Sequence, residues 1–118
     1  MKEKIEPVEP ASKDDLIVLN SPLPNEAVQS PLTISGKARG TWYFEASFPV
    51  KLLDANRNVL VAVPAQAQGE WMTTDFVLFE ATLTFEKPAT ATGFLRFEKD
   101  NPSGLPEFDE SFEMPIKF

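Results

Sequence analysis

Apolar side chains in this chain recur at every second position in short runs closed off by turn residues, and no run repeats at helical spacing for three turns. A strand points successive side chains to opposite faces, so the pattern describes strands with one face buried. The runs are residues 16–19, 32–38, 42–53, 59–63, 76–85, 93–98 and 111–118. The third alternates most clearly, with Trp42, Phe44, Ala46, Phe48, Val50 and Leu52 on one face and Tyr43, Glu45, Ser47, Pro49 and Lys51 on the other. Pro49 lacks a ladder donor, so this strand must be irregular or lie at an edge there. In the fifth run Val77, Phe79, Ala81, Leu83 and Phe85 point inward, which throws Phe76 and Leu78 outward and requires a bulge or a second surface over them. Seven such strands with turns at short intervals predict an all-β domain: an immunoglobulin-like antiparallel β-sandwich of about seven strands, with a small closed barrel as the rival.

The turns are chemically marked. Asn20, Ser21, Pro22 and Pro24 stop the first run, and residues 54–58 (Asp-Ala-Asn-Arg-Asn) read as a hairpin turn. Residues 65–74 read as a connection of small and polar residues carrying Gly69 and Trp71, and residues 100–104 as a further turn. Residues 1–15 differ in kind, being rich in Lys, Glu and Pro with Ile5 and Val8 as their sizeable apolar groups. They are expected to be a disordered or extended tether, and residues 16–118 the folded domain. A charged tether of this kind suits an exported protein held to a membrane, and an ordinary disordered terminus has the same composition.

Composition narrows the chemistry. The chain has 118 residues, no cysteine and no histidine. Cysteine proteases, Ser-His-Asp hydrolases, thiol redox centres and ordinary zinc sites are thereby excluded. A net charge of −7 gives no overall field to attract a phosphate backbone or an anionic membrane, so no nucleic-acid partner is expected. No apolar stretch reaches the roughly 18 residues of a spanning helix, so no direct membrane insertion of this chain is expected. Asp100, Asn101, Glu107, Asp109 and Glu110 crowd one loop with oxygen ligands of the type calcium takes, but their spacing fits no EF-hand. No metal or cofactor is assigned. Paired carboxylates could run glycoside hydrolysis only from opposite sides of a cleft, at about 5 to 10 Å, and a sandwich this small has little room for one. No enzymatic activity is expected; a carbohydrate-active enzyme stands as the alternative from another class.

Three stretches carry a family likeness: residues 30–50, from Ser-Pro-Leu on to GKARGTWYFEASFPV; residues 69–85, GEWMTTDFVLFEATLTF; and residues 97–107, FEKDNPSGLPE. With the strands between them they resemble the immunoglobulin-like domain of bacterial spore germination, which is found with the GerMN domain in envelope proteins. The first hairpin departs from the pattern, offering Asn56 and Asn58 where a glycine is expected. The resemblance implies a non-catalytic module, exported and tethered to the membrane as a lipoprotein or by a single span, outside the cytoplasm. It brings neither a ligand nor catalytic residues.

The sandwich order predicts where a binding site would be. Connections after alternate strands emerge at a common end, which gathers residues 39–41, 65–75 and 99–107. Loops held by rigid sheets are where sandwiches usually bind, so the candidate binding residues are Arg39, Trp42, Trp71, Asp75, Asp100, Asn101 and Glu107. Five of them have a structural role open to them as well. Trp42 and Trp71 suit core or loop packing, and Asp100 and Asn101 suit capping of the turn before Pro102. Arg39 suits an ion pair with Glu45 near Arg96. The partner expected is an envelope protein or a glycan, with a purely structural spacer as the alternative.

Overall fold

The computed structural model describes residues 12–13, 16–100, 104–105 and 110–118. Eight strands follow in order: β1 (Ser12–Lys13), β2 (Ile17–Ser21), β3 (Leu32–Arg39), β4 (Ser47–Asp54), β5 (Val59–Ala67), β6 (Phe76–Leu83), β7 (Thr92–Glu98) and β8 (Ser111–Lys117). A 3-10 turn, Gly40–Trp42, lies between β3 and β4. The strands pair antiparallel in the order β1-β2-β3-β6-β5-β4-β7-β8. β5 pairs with β4 along most of its length and reaches β6 only through Gln66 and Ala67. The hydrogen-bonded sheet therefore folds over at β5 into two layers, β1-β2-β3-β6 and β4-β7-β8. Among the described residues no ladder joins β1 to β8, so the sheet does not close into a barrel.

The two layers meet through their apolar faces. Phe79 of β6 lies 5.0 Å from Phe48 of β4 and 6.3 Å from Phe97 of β7, ring centre to ring centre. All three are fully buried, together with Trp42, Ile17, Leu19, Ile34, Leu52, Leu83, Leu95, Met114 and Ile116. Buried aromatic rings each remove on the order of 150 to 250 Å² from water, so this quartet of large rings anchors the contact.

The sequence pattern fails in a few places, each with a physical cause. The third run is not one strand. Phe44 and Ser47 exchange backbone hydrogen bonds (2.9 and 3.2 Å) around Glu45 and Ala46, whose φ angles are 52° and 66°. That is a two-residue reversal of the kind built on left-handed residues, and it ends the alternation. Trp42 and Tyr43 are both buried as a result, while Phe44, expected inward, is 41% exposed. Residues 65–67 belong to β5, so the connection to β6 starts at Gln68 rather than at Ala65. In β6 the register with β3 is unbroken from Arg39–Phe76 to Leu32–Leu83. No bulge rescues the outward pair there: Lys37 and Arg39 cover the Phe76 ring, and Leu78 stays 64% exposed.

Pro49 sits where the ladder narrows. It faces Pro64 of β5, and pairing with β7 begins only at Val50. In the hairpin after β4, Arg57 takes the left-handed residue (φ 67°) rather than Asn56 or Asn58. The Asp54 carboxylate accepts hydrogen bonds from the backbone N–H groups of both asparagines, at 2.9 Å each, and closes the turn. Within the segment expected to be a tether, Ser12 and Lys13 pair with Val18 and Ile17. Lys13 Nζ also donates to the Ser111 carbonyl at 2.8 Å, which links the edges of the two layers.

Candidate functional site

The described residues of the gathered connections, 39–41, 68–75 and 99–100, meet at one end of the sandwich, and backbone contacts hold them there. Gly40 N–H donates to the Asp75 carbonyl (3.0 Å), and Asp100 N–H to the Trp42 carbonyl (3.0 Å). Ala67 N–H donates to the Ala46 carbonyl (2.8 Å), fixing the reversal at Glu45 and Ala46 against the end of β5. Inside the 68–75 loop, Thr73 N–H donates to Trp71 C=O (2.9 Å) and Asp75 N–H to Thr73 Oγ1 (3.1 Å). Gly40 is required at the centre. A Cβ there would stand inside contact distance of the Thr73 and Trp71 carbonyl oxygens, so a side chain would push the two loops apart.

The sequence-predicted residues fall into three groups. Arg39, Trp71, Asp75 and Asp100 come together at this end. Arg39 lays its guanidinium over the Phe76 ring at 3.9 Å and donates to the Thr74 carbonyl at 3.4 Å. Trp71 is half-buried, with its ring edge-on to Phe44 at 6.5 Å, while Asp75 is exposed and Asp100 half-exposed. Trp42 corrects the expectation of a binding residue: it is 1% exposed, edge-on to Phe48 at 6.4 Å, and offers no ring face to a ligand. Asn101 and Glu107 lie outside the described residues. Arg96, expected near Arg39, lies on β7 and pairs with Glu98 (2.8 Å) and Glu113 (3.2 Å).

Two residues of this end escaped sequence reasoning. Phe44 follows the break in alternation, which Glu-Ala does not signal. Met72 is 79% exposed, and its signal is a large apolar residue inside an otherwise polar loop. With Trp71 they give the end an apolar tip. Around it stand Glu45, Glu70, Asp75 and Asp100 against Arg39 and Lys99, so the rim is acidic. Below the tip, Tyr43 Oη donates to the Val77 carbonyl at 2.7 Å. Burial of that phenol pushes its ionisation far above the ordinary range.

Among the described residues no group of His, Cys, Asp or Glu stands together so as to hold a metal ion, and no helix is long and apolar enough to cross a membrane. The described residues of this end offer surface contact, hydrogen bonding and charge.

Comparison with known proteins agrees with the topology. The family model described as the immunoglobulin-like domain of bacterial spore germination matches residues 16–105. No curated protein and no solved structure matches the chain. The match runs from the entry to β2 through the loop after β7, and with the folded-over antiparallel sheet it places this chain in the family of immunoglobulin-like domains of bacterial spore germination.

Proposed function

We propose that this domain is a non-catalytic recognition module of the bacterial cell envelope, acting in sporulation or spore germination, and that it presents the Arg39, Trp71, Asp75 and Asp100 end to a protein or glycan partner. The observation that carries the reading is the juxtaposition of Phe44, Trp71 and Met72, exposed in whole or part, with Arg39, Asp75 and Asp100 on loops tied by backbone bonds. Loops so held lose little further freedom on binding, which is the condition for turning a small apolar contact into affinity. Family membership supports a module without chemistry. In this reading the parent protein is exported and membrane-tethered.

The test is capture from envelope extracts of a spore-forming bacterium by three forms of the domain: unaltered, Arg39/Asp75/Asp100→Ala, and Trp71/Met72→Ala. Leu78→Ala, which removes an exposed apolar group from a sheet face, serves as control. Loss of the same captured species with both loop variants and not with the control is expected. Equal recovery from all four, with their folds intact, identifies a structural spacer instead.

A further inference from the structure

Among the described residues β5 is paired along most of its length on one side only, to β4. Which backbone groups its open side holds follows from proline chemistry. Pro49 and Pro64 stand opposite each other, and neither has an N–H, so their rung cannot be a bonded one. Bonded and unbonded rungs alternate in an antiparallel ladder. The Phe48–Ala65 and Val50–Val63 rungs therefore carry the β4–β5 bonds, and the backbone groups of Ala62 and Pro64 point away from β4. No strand among the described residues faces them there. Ala62 offers both an N–H and a C=O along this open edge, and Pro64 a C=O.

Such an edge is a template for another extended strand, and folded proteins commonly blunt it with charge. Here there is none: from Asn58 to Gly69 the chain has no charged residue. Ala62 and Pro64 are exposed, Val61 and Val63 half-buried, and Val59 54% exposed. We propose that β5 is a homodimerisation edge, at which two copies of this chain pair antiparallel about a two-fold axis at Ala62. The β8-β7-β4-β5 layers of the two copies then join into one continuous sheet.

A second copy is the occupant that the observations favour. About that axis the Ala62 N–H and C=O groups of the two copies satisfy each other, and Val61 stands opposite Val63 of the partner subunit. An isologous contact of this kind needs a surface that tolerates itself. A chain of net charge −7 meets its copy here with no like charges opposed along the strand. Lys51, beside Ala62 on β4, is paired with Glu98 at 3.1 Å. Pro64 supplies no donor, which keeps the seam short and the dimer weak.

Sedimentation of the full chain from micromolar to millimolar concentration tests this. The expected result is a concentration-dependent shift from monomer toward dimer. Ala62→Glu sets two carboxylates face to face at the axis and holds the chain monomeric, and because Ala62 is exposed its melting temperature stays near that of the parent. Pro64→Thr restores an N–H to each open edge and tightens the dimer about tenfold. A chain that stays monomeric throughout overturns the proposal, even if Pro64→Thr dimerises, since the proline then acts as a guard. A dimer indifferent to Ala62→Glu overturns it equally.

Discussion

The backbone of Gly40 lies against the carbonyl oxygen of Thr73 with no room for a Cβ between them. This contact joins the turn after β3 to the loop before β6, and the hydrogen bond from Gly40 N–H to Asp75 C=O depends on it. Gly40→Ala is expected to destabilise the domain by about 1 to 3 kcal/mol, because the added methyl meets backbone rather than a flexible side chain. Gly69→Ala, in the loop before β6 but with open space around its Cβ position, is expected to change stability by less than about 1 kcal/mol. Urea unfolding of both variants checks the contrast. Similar losses in the two would mean that the loops are not interlocked at Gly40.

Tyr43 is the one tyrosine in the chain, which makes its ionisation directly readable by ultraviolet absorbance. Its folded-state pKa is raised by burial, so the neutral phenol is favoured in the fold. That preference is fully present below the unfolded pKa, near 10, and is lost as pH rises beyond it. Phenolate absorbance is therefore expected to appear only as the chain unfolds in alkali, in one cooperative step. Tyr43→Phe removes the buried hydrogen bond from the phenol to the Val77 carbonyl and is expected to lose about 1 kcal/mol at neutral pH. A phenol that titrates near pH 10 in a folded chain would contradict the buried hydrogen bond.

The alternation of buried positions in β3, β6 and β8 is readable from the sequence because one face of each strand packs on the other layer, and a two-residue period records that directly. The common end of the loops follows from strand order alone. What the sequence conceals is the reversal at Glu45 and Ala46. Neither residue type announces positive φ, and Trp42, Phe44 and Ala46 continue the period by coincidence across it. The false continuity turned Phe44 inward, whereas Trp42 entered the binding end only because it follows the connection at residues 39–41. The extension of β5 through Ala67 was hidden for a related reason. Pro64 reads as a strand terminator, yet its missing donor faces an open edge where no ladder bond is lost.

The same reversal gives a stabilising substitution. Holding an L-residue in the left-handed region costs roughly 1 to 2 kcal/mol, which glycine does not incur. Ala46→Gly is expected to raise stability by up to about 1 kcal/mol after glycine's larger loss of chain entropy is deducted. Ala81→Gly, in β6 where the φ is ordinary, is expected to destabilise instead. Thermal melts of the two variants should move in opposite directions. Destabilisation by both would remove the left-handed turn from the account of this end.

Asp54 sets the acid limit of the hairpin after β4. Its carboxyl is held below the ordinary aspartate range first by the hydrogen bond from Asn58 N–H, and further by the Asn58 side chain and Asn56 N–H, against an opposing contribution from burial. A lowered folded-state pKa stabilises the fold above the unfolded value, near 3.9, and that stabilisation is lost as pH falls through the folded value. Without histidine, no side chain of ordinary pKa titrates between about pH 5 and 8, so the parent's stability is expected to be flat there. Asp54→Asn keeps the shape and one acceptor oxygen but removes the charge. The gap in melting temperature between parent and variant is expected to be constant through that neutral window and to narrow as pH falls below the unfolded value. A gap that persists unchanged in acid would mean that the carboxylate charge contributes nothing and that the shape of the turn alone holds β4 to β5.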